Sequence, residues 1–240
     1  MRRSLWLPPL LLGGAAAIVV VFAHRGSLDP GEAAVLSGAN LARRVREHLA
    51  LSAVSTALAV AVAVPTGVAV TRPRLRRFAP PVLGLANAGQ TVPTVAMLAL
   101  VFALTGKVGF GTAVVALWAY SLLPVLRNTL AGLSSVDPAA LEAARGMGMS
   151  PGQVLARVEL PLAWPVLVAG IRTAAVVNVG TAALATFVGA GGLGAIIEVG
   201  IDNQRDRILY AGASLTALLA LAADWTIATL AALTARSRNA

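Results

Sequence analysis

One polar stretch interrupts the apolar runs of this chain: D-P-A-A-L-E-A-A-R-G-M-G-M-S-P-G-Q-V-L-A-R-V-E-L-P, residues 137–161. Asp137 is suited to cap a helix that begins at Pro138, because its carboxylate accepts hydrogen bonds from unpaired amides and proline has no amide to satisfy. Gly146 and Gly148 should end that helix, since glycine commonly follows a helix C-terminus. A short helix is therefore predicted in the first half of the stretch.

The second half carries signals for another short helix. Ser150 can cap it, Pro151 occupies its first position, and Gln153 completes a capping box. Pro161 should terminate it. Two short capped helices joined at a glycine corner, exposed between apolar spans, form a compact surface on which another protein can dock.

The same stretch resembles the EAA loop of bacterial ABC importer permeases, E-A-A-x3-G-x9-I-x-L-P, with valine in place of isoleucine. In that family the loop is the cytoplasmic coupling helix that seats in a groove of the ATPase subunit. The resemblance extends over roughly residues 48–233. The resemblance implies that seven residues couple the permease to the ATPase: Glu142, Ala143, Ala144, Gly148, Val158, Leu160 and Pro161.

The composition is that of a membrane protein. Of 240 residues, 58% are hydrophobic and only 12% charged, which is too apolar for a soluble domain. The net charge of +9 reflects arginines that flank apolar runs, so we attribute it to cytoplasmic topology rather than to nucleic acid binding. These arginines are Arg2, Arg3, Arg72, Arg74, Arg76, Arg77, Arg236 and Arg238.

The apolar runs predict an all-α polytopic protein with about six transmembrane helices. Residues 1–47 should form a first helix and an external polar segment, residues 48–233 the permease core, and residues 234–240 a cytoplasmic tail. The first run can be an uncleaved helix, which we favour, or a cleaved signal peptide. Both termini should then be cytoplasmic. The runs cover about residues 5–23, 48–70, 80–104, 112–133, a span from 162 onward, and 208–233.

Several polar residues fall within the predicted spans, where they need partners or water. They can form hydrogen bonds between helices or line a translocation path, and both interpretations remain open. The residues proposed for a path are Asn87, Gln90, Thr91, Tyr120 and Asn178.

Two charges lie at similar predicted depths in the last two spans. Arg172 and Asp224 are expected to pair, because an isolated charge at that depth is costly. A protonated Asp224 or a solvated Arg172 is the alternative. Between these spans, residues 187–197 are so rich in glycine that a break or re-entrant turn is expected. Their G-x-G-x-x-G pattern lacks the strand and acidic residue of a dinucleotide site, so it indicates close packing.

The sequence offers no catalytic apparatus of its own. It has no cysteine and no G-x-x-x-x-G-K-[ST] phosphate-binding loop. His24 and His48 lack metal-ligand company and are expected at membrane interfaces. We therefore predict no metal, no cofactor and no enzymatic activity, with ATP hydrolysis supplied by a separate subunit.

The resemblance implies a type I ABC importer-like fold in the bacterial inner membrane. The implied partners are an ABC ATPase subunit, a substrate-binding protein, and a second permease copy or a paralogue, within membrane lipid and without nucleic acid. Residues 48–52, 90–94, 123–133 and 189–194 most resemble permeases for glycine betaine, choline and carnitine, osmoprotectants of the quaternary amine type. Methionine and phosphonate permeases are the alternatives within the family.

Two functions outside that family remain possible on the sequence alone. One is an ion-gradient-driven secondary transporter that uses Asp224 as a proton or sodium site, although we find no inverted repeat of the kind such proteins often have. The other is a membrane assembly factor that docks a soluble partner without transport.

Overall fold

The computed structural model describes residues 28–237, together with residues 13–15 and 17. All regular structure within residues 28–237 is helical. Two 3₁₀ segments, Arg76–Phe78 and Ala182–Val188, and a π-helical turn, Leu155–Glu159, adjoin the α-helices. The α-helices are α1 Pro30–Val35, α2 Gly38–Thr71, α3 Ala79–Thr91, α4 Thr94–Thr105, α5 Phe110–Ser134, α6 Pro138–Gly146, α7 Pro151–Val154, α8 Leu160–Thr181, α9 Gly194–Asp202 and α10 Asp206–Ser237.

Four helical stretches of the described chain are long and apolar enough to cross a membrane. The pair α3–α4 can supply a fifth span. The prediction of an all-helical, multi-spanning fold is therefore confirmed. The predicted first span, residues 5–23, lies almost entirely outside the described residues. The four stretches are Gly38–Thr71, Phe110–Ser134, Pro151–Val188 and Asp206–Leu233.

The predicted third span, residues 80–104, is not one helix. It divides into α3 and α4, whose axes differ by 102°. Val92 ends α3 in an extended conformation, with φ −71° and ψ 126°, and Pro93 occupies the position before the first residue of α4. Proline has no amide to donate and disfavours helical geometry in the residue before it, so the V-P step converts a predicted span into a sharp bend.

Helix α5 lies at the centre of the bundle and packs against both α2 and α8. Glycines allow the close approach on both sides. A Cβ at Gly67 would lie 2.6 Å from Cγ2 of Thr129, and a Cβ at Gly170 would lie 2.5 Å from Cβ of Asn128. These contacts fix the frame that carries the polar loop at one end and the glycine-rich turn at the other.

Pro161 does not terminate the helix before it, contrary to the prediction. Helix α7 continues through the π-helical turn Leu155–Glu159 into α8, so that Pro151–Val188 is one continuous helical stretch. The Leu160 amide donates to the carbonyl of Leu155, five residues back. The π turn departs from the regular α-helical hydrogen-bond pattern just before Pro161, so the ring and the missing amide of this proline do not end the helix. The polar loop is therefore continuous with a membrane span.

The glycine-rich segment breaks the helix as expected. The 3₁₀ segment Ala182–Val188 ends at Gly189, which has φ +69°, and the chain then turns into α9. Residues 198–202 belong to α9, so only a short turn separates that helix from α10. Glu198 accepts a hydrogen bond from the Thr186 hydroxyl at 2.5 Å, which ties α9 back to the 3₁₀ segment.

The start of the described chain packs against the turn before α10. Arg205 Nη1 lies 2.6 Å from Oδ2 of Asp29, and Arg207 lies 3.7 Å from the carboxylate of Glu32. The backbone amide of Glu32 donates to Asp29 at 2.8 Å and holds the pKa of the Asp29 carboxyl below its usual value. The polar segment before α2 and the turn before α10 therefore meet at one end of the bundle.

Candidate coupling and translocation sites

Both helices of the polar loop begin with the capping residue that the sequence predicts. Asp137 accepts a hydrogen bond from the Ala139 amide at 2.9 Å. The Ser150 hydroxyl accepts from the Gln153 amide at 3.4 Å, and the Gln153 side chain accepts from the Ser150 amide at 2.8 Å. Local side chains thus satisfy amides at the starts of α6 and α7, which need no partner protein for these hydrogen bonds.

Gly148 closes α6 through a Schellman motif. The Met149 amide donates to the carbonyl of Ala144 at 3.2 Å, and the Gly148 amide donates to the carbonyl of Arg145 at 2.9 Å. This pair of bonds requires the left-handed conformation at the position after the C-cap, and Gly148 has φ +82°. The glycine of the E-A-A-x3-G pattern is therefore the residue that reverses the chain between α6 and α7.

The residues of the pattern divide between two faces of the loop. Glu142, Ala143 and Gly148 are exposed, whereas Ala144 is buried and Val158, Leu160 and Pro161 are at least partly covered. Met147 lies next to Gly148 with 71% of its surface exposed. Sequence reasoning overlooked Met147, although a methionine at a glycine corner is a suitable adaptable contact.

An apolar cluster attaches the inner face of the loop to the membrane helices. Leu133 and Leu167 form its buried centre, and loop residues Leu141, Leu155 and Leu160 pack around it together with Val64 and Val68 of α2. Helices α2, α5 and α8 therefore all contact the loop.

A bidentate ion pair adds a second attachment. Arg72, the residue that ends α2, donates from Nη1 to Oε1 of Glu159 at 3.0 Å and from Nη2 to Oε2. Only 5% of Glu159 is exposed. Sequence reasoning counted Arg72 only as a topology signal; a lone carboxylate inside the apolar V-E-L-P run was the available hint that it needed a cationic partner.

The proposed path residues do not gather around one cavity. Asn87 and Thr91 are exposed, and Gln90 and Tyr120 are half-buried. Asn178 is fully buried. With its amide oriented to satisfy both atoms, Asn178 donates to the Leu117 carbonyl at 3.1 Å and accepts from the Thr56 amide at 3.2 Å. This residue links α2, α5 and α8 and has no surface with which to line a path in this chain.

A cavity of about 640 Å³ lies instead between α2, α3 and α5, beside the bend at Pro93. Its walls are mostly apolar, with Thr66 of α2 and Trp118 of α5 as its polar exceptions. The buried indole N–H of Trp118 has no hydrogen-bond partner within the described part of the chain. No sequence pattern indicates Trp118, because its place beside the cavity depends on the bend between α3 and α4.

His48 is buried, not interfacial as predicted. Its Nδ1 accepts from the Leu193 amide at 3.3 Å and its Nε2 lies 2.8 Å from the carbonyl of Val179. These partners place the proton on Nε2 and leave the ring neutral. The neighbouring Glu47 accepts from the Gly192 amide at 2.9 Å. Two adjacent side chains of α2 therefore hold the glycine-rich turn.

Arg172 of α8 and Asp224 of α10 lie in contact. Arg172 donates through Nε to Oδ1 and through Nη2 to Oδ2, the latter at 2.5 Å. Their side chains are 45% and 32% exposed on the surface of the bundle. The carboxylate is engaged by a guanidinium, so an ion site at Asp224 would have to compete with that pair.

Reversing one of these two charges is expected to reduce the amount of folded protein, and reversing both should restore it. Arg172→Asp or Asp224→Arg leaves two like charges within the membrane, at a cost of about 2.5 kcal/mol or more. The yield of monodisperse protein after detergent extraction measures the effect. If the double variant yields no more folded protein than either single variant, the pair does not stabilise the fold.

Comparison with known proteins identifies the class that this helical bundle and its loop define. Residues 63–235 match the model of the family described as "Binding-protein-dependent transport system inner membrane component". The chain belongs to this family, and it is the permease subunit of an ABC importer. The predicted fold class and general function are thereby confirmed, and the interpretations as a secondary transporter or an assembly factor are not supported.

Individual relatives agree with this assignment. The chain is 41% identical over 192 residues to the choline transport system permease protein of Bacillus subtilis, covering 80% of this chain and 87% of the relative. It is 46% identical over 178 residues to the carnitine transport permease protein of Listeria monocytogenes, covering 74% and 78%. A structure of the MetNI methionine ABC transporter in inward facing conformations matches with a TM-score of 0.70 and 27% identity, covering 80% and 95%.

Proposed function

We propose that two permease chains, this one with an identical copy or a paralogue, form the pathway of a bacterial importer for a quaternary amine osmoprotectant. A separate ABC ATPase supplies the energy, and an external binding protein delivers the substrate. The proposal rests on the exposed face of the loop, which contains Glu142, Ala143, Met147 and Gly148. The helices of this loop are capped by side chains of the loop itself.

The coupling step follows from the attachment of this loop. We place the ATPase groove over the exposed face of α6. Closure of the ATPase would then move α6 and, through the apolar cluster, the helices α2, α5 and α8. Coupling between distant sites requires such an element whose position both sites influence.

The substrate proposal rests on the relatives. Choline and carnitine, which the relatives at 41% and 46% identity are named for, both carry a quaternary ammonium group. The methionine transporter shares 27% identity, so the quaternary amine class is favoured over methionine. Trp118, at the wall of the 640 Å³ cavity, is suited to pass such a cation, because tryptophan faces attract quaternary ammonium groups.

The orientation in the membrane is also a proposal. The basic segment at residues 72–77 adjoins the polar loop through the Arg72–Glu159 contact, and positive residues favour the cytoplasmic side. We therefore place the loop and the C-terminus in the cytoplasm, and the contact between Asp29 and Arg205 on the outer side.

Purification from the native membrane in mild detergent is the decisive experiment. We expect an ATPase with a phosphate-binding loop to accompany the chain, together with an exported binding protein that retains choline or a related amine. Mass spectrometry identifies both proteins and the bound amine. Recovery of the chain alone, with solute uptake in liposomes driven by an ion gradient, would contradict the proposal. Recovery of the ATPase with a binding protein that retains methionine would refute only the substrate class.

A further inference from the structure

Two charged side chains, Arg72 and Glu159, join the end of α2 to the polar loop of residues 137–161, here called the coupling loop. They are 87 positions apart in the sequence. The two parallel bonds from Arg72 to Glu159 fix both the distance and the orientation of the groups. A pair of this geometry resists rotation, whereas the surrounding apolar contacts among Val68, Leu155 and Leu160 allow side chains to slide. The ion pair is therefore the directional part of the attachment.

Arg72 is itself held against α2. Its Nε donates to the carbonyl of Val68 at 3.2 Å, and the Thr71 hydroxyl donates to the same carbonyl at 2.7 Å. These bonds satisfy one of the carbonyls left free at the helix C-terminus, where a cation is also favoured by the helix dipole. The guanidinium moves with the last turn of α2 rather than as a free side chain.

Glu159 is equally constrained on the other side. It is the last residue of the π-helical turn and is 5% exposed. A carboxylate buried this deeply without its cation is strongly unfavourable. The contact should consequently persist whenever the loop moves, so that loop and helix move together.

Helix α2 also forms a wall of the 640 Å³ cavity. Thr66 lines that cavity six positions before Arg72, which is about 9 Å along the helix axis. The pair thus lies on a short physical route from the loop to the cavity between α2, α3 and α5.

We propose that Arg72 and Glu159 form a positioning pair that transmits movement of the coupling loop to α2 and so couples ATP hydrolysis to transport. This inference rests on the proposed function, in which the ATPase docks on residues 137–161. Neither residue belongs to the exposed docking face of α6, so their loss should uncouple the transporter without preventing assembly.

The experiment compares Glu159→Gln, Arg72→Gln and Arg72→Lys in the full complex reconstituted with its ATPase and binding protein. Arg72→Lys keeps the charge but cannot form two parallel bonds. Arg74→Gln is the matched control, because Arg74 is an exposed arginine of the same basic turn. ATPase recovery, ATP hydrolysis and radiolabelled choline uptake are measured on the same preparations.

We expect Glu159→Gln, which leaves no buried charge, to retain the ATPase and to hydrolyse ATP at the rate of the unmodified complex, while choline transported per ATP falls about tenfold. Arg72→Gln leaves the Glu159 carboxylate without its cation, so less complex should be recovered, but choline transported per ATP should fall to the same extent in the complex that assembles. The choline transported per ATP by Arg72→Lys should lie between the values for these variants and for the unmodified complex. The value for Arg74→Gln should equal that of the unmodified complex. If Glu159→Gln fails to assemble, the choline transported per ATP by Arg72→Lys tests the inference instead.

An unchanged ratio of choline transported to ATP hydrolysed in the variants that assemble would overturn the inference. If that unchanged ratio came with a lower recovery of the complex, it would show that the pair only stabilises the fold. By contrast, an unmodified complex that binds no ATPase or takes up no choline would refute the proposed function or its substrate class.

Discussion

Replacement of Gly194 by alanine is expected to prevent the chain from folding. A Cβ at this position would lie 1.8 Å from the carbonyl oxygen of Ala183 and 2.7 Å from its carbonyl carbon. Both atoms belong to backbone, which cannot rotate away as a side chain can. The start of α9 and the 3₁₀ segment Ala182–Val188 would have to separate, and overpacking of this kind costs about 3 kcal/mol or more.

The matched control is the same substitution in a neighbouring helix. Gly180 lies in α8, and a Cβ added there would have no heavy atom within 4 Å from any other segment of the described chain. Gly180→Ala should therefore leave the thermal midpoint of the purified protein unchanged or raise it, since alanine favours a helix over glycine by about 1 kcal/mol. A Gly194→Ala protein that is extracted as a monodisperse species, with a midpoint equal to that of Gly180→Ala, would refute the packing argument.

Gly194 also explains the G-x-G-x-x-G pattern. Gly189 and Gly191 adopt positive φ values in the turn, and Gly194 permits contact between two backbone segments. The sequence indicated close packing because the strand and acidic residue of a dinucleotide site are absent. It did not reveal what packs there, since Ala183 and the side chains of Glu47 and His48 reach the turn only through the tertiary fold.

Features of the coupling loop that depend on neighbouring residues were predictable. The caps at Asp137 and Ser150 and the helix end at Gly148 each involve groups within a few positions, so local rules were sufficient. Pro161 was misread because the rule that proline ends a helix applies to regular α-geometry. The π turn before it relieves the conflict, and no local pattern signalled that turn.

Features that depend on contacts between distant segments were only partly predictable. The Arg172–Asp224 contact was anticipated because charges in a span need partners. The Arg72–Glu159 pair was not, because the apolar residues around Glu159 indicate the need for a cation but not which residue, 87 positions away, supplies it. The selection of Asn178 as a path residue also failed to anticipate its burial, because the polarity of a residue in a span does not specify whether it meets water or another helix.

Replacement of Gly148 by aspartate is expected to abolish docking of the ATPase while the membrane helices remain folded. The left-handed conformation at this position costs most residues with a Cβ about 1–2 kcal/mol, and aspartate less than most, and the Schellman bonds that end α6 depend on it. The new carboxylate would also stand on the exposed docking face beside Met147. Recovery of the ATPase with the tagged permease measures docking, and the elution profile of the permease measures its fold.

Two further variants separate the backbone effect from the surface effect. Gly146 lies in α6 two positions earlier, with open space at its Cβ position and no positive φ, so Gly146→Ala should dock normally whereas Gly148→Ala should dock weakly. Asparagine tolerates the left-handed region better than alanine, so Gly148→Asn should recover part of the docking lost in Gly148→Ala. Equal ATPase recovery from Gly148→Asp and the unmodified permease would show that the ATPase does not depend on this corner, and the docking site would then have to be sought elsewhere on the cytoplasmic surface.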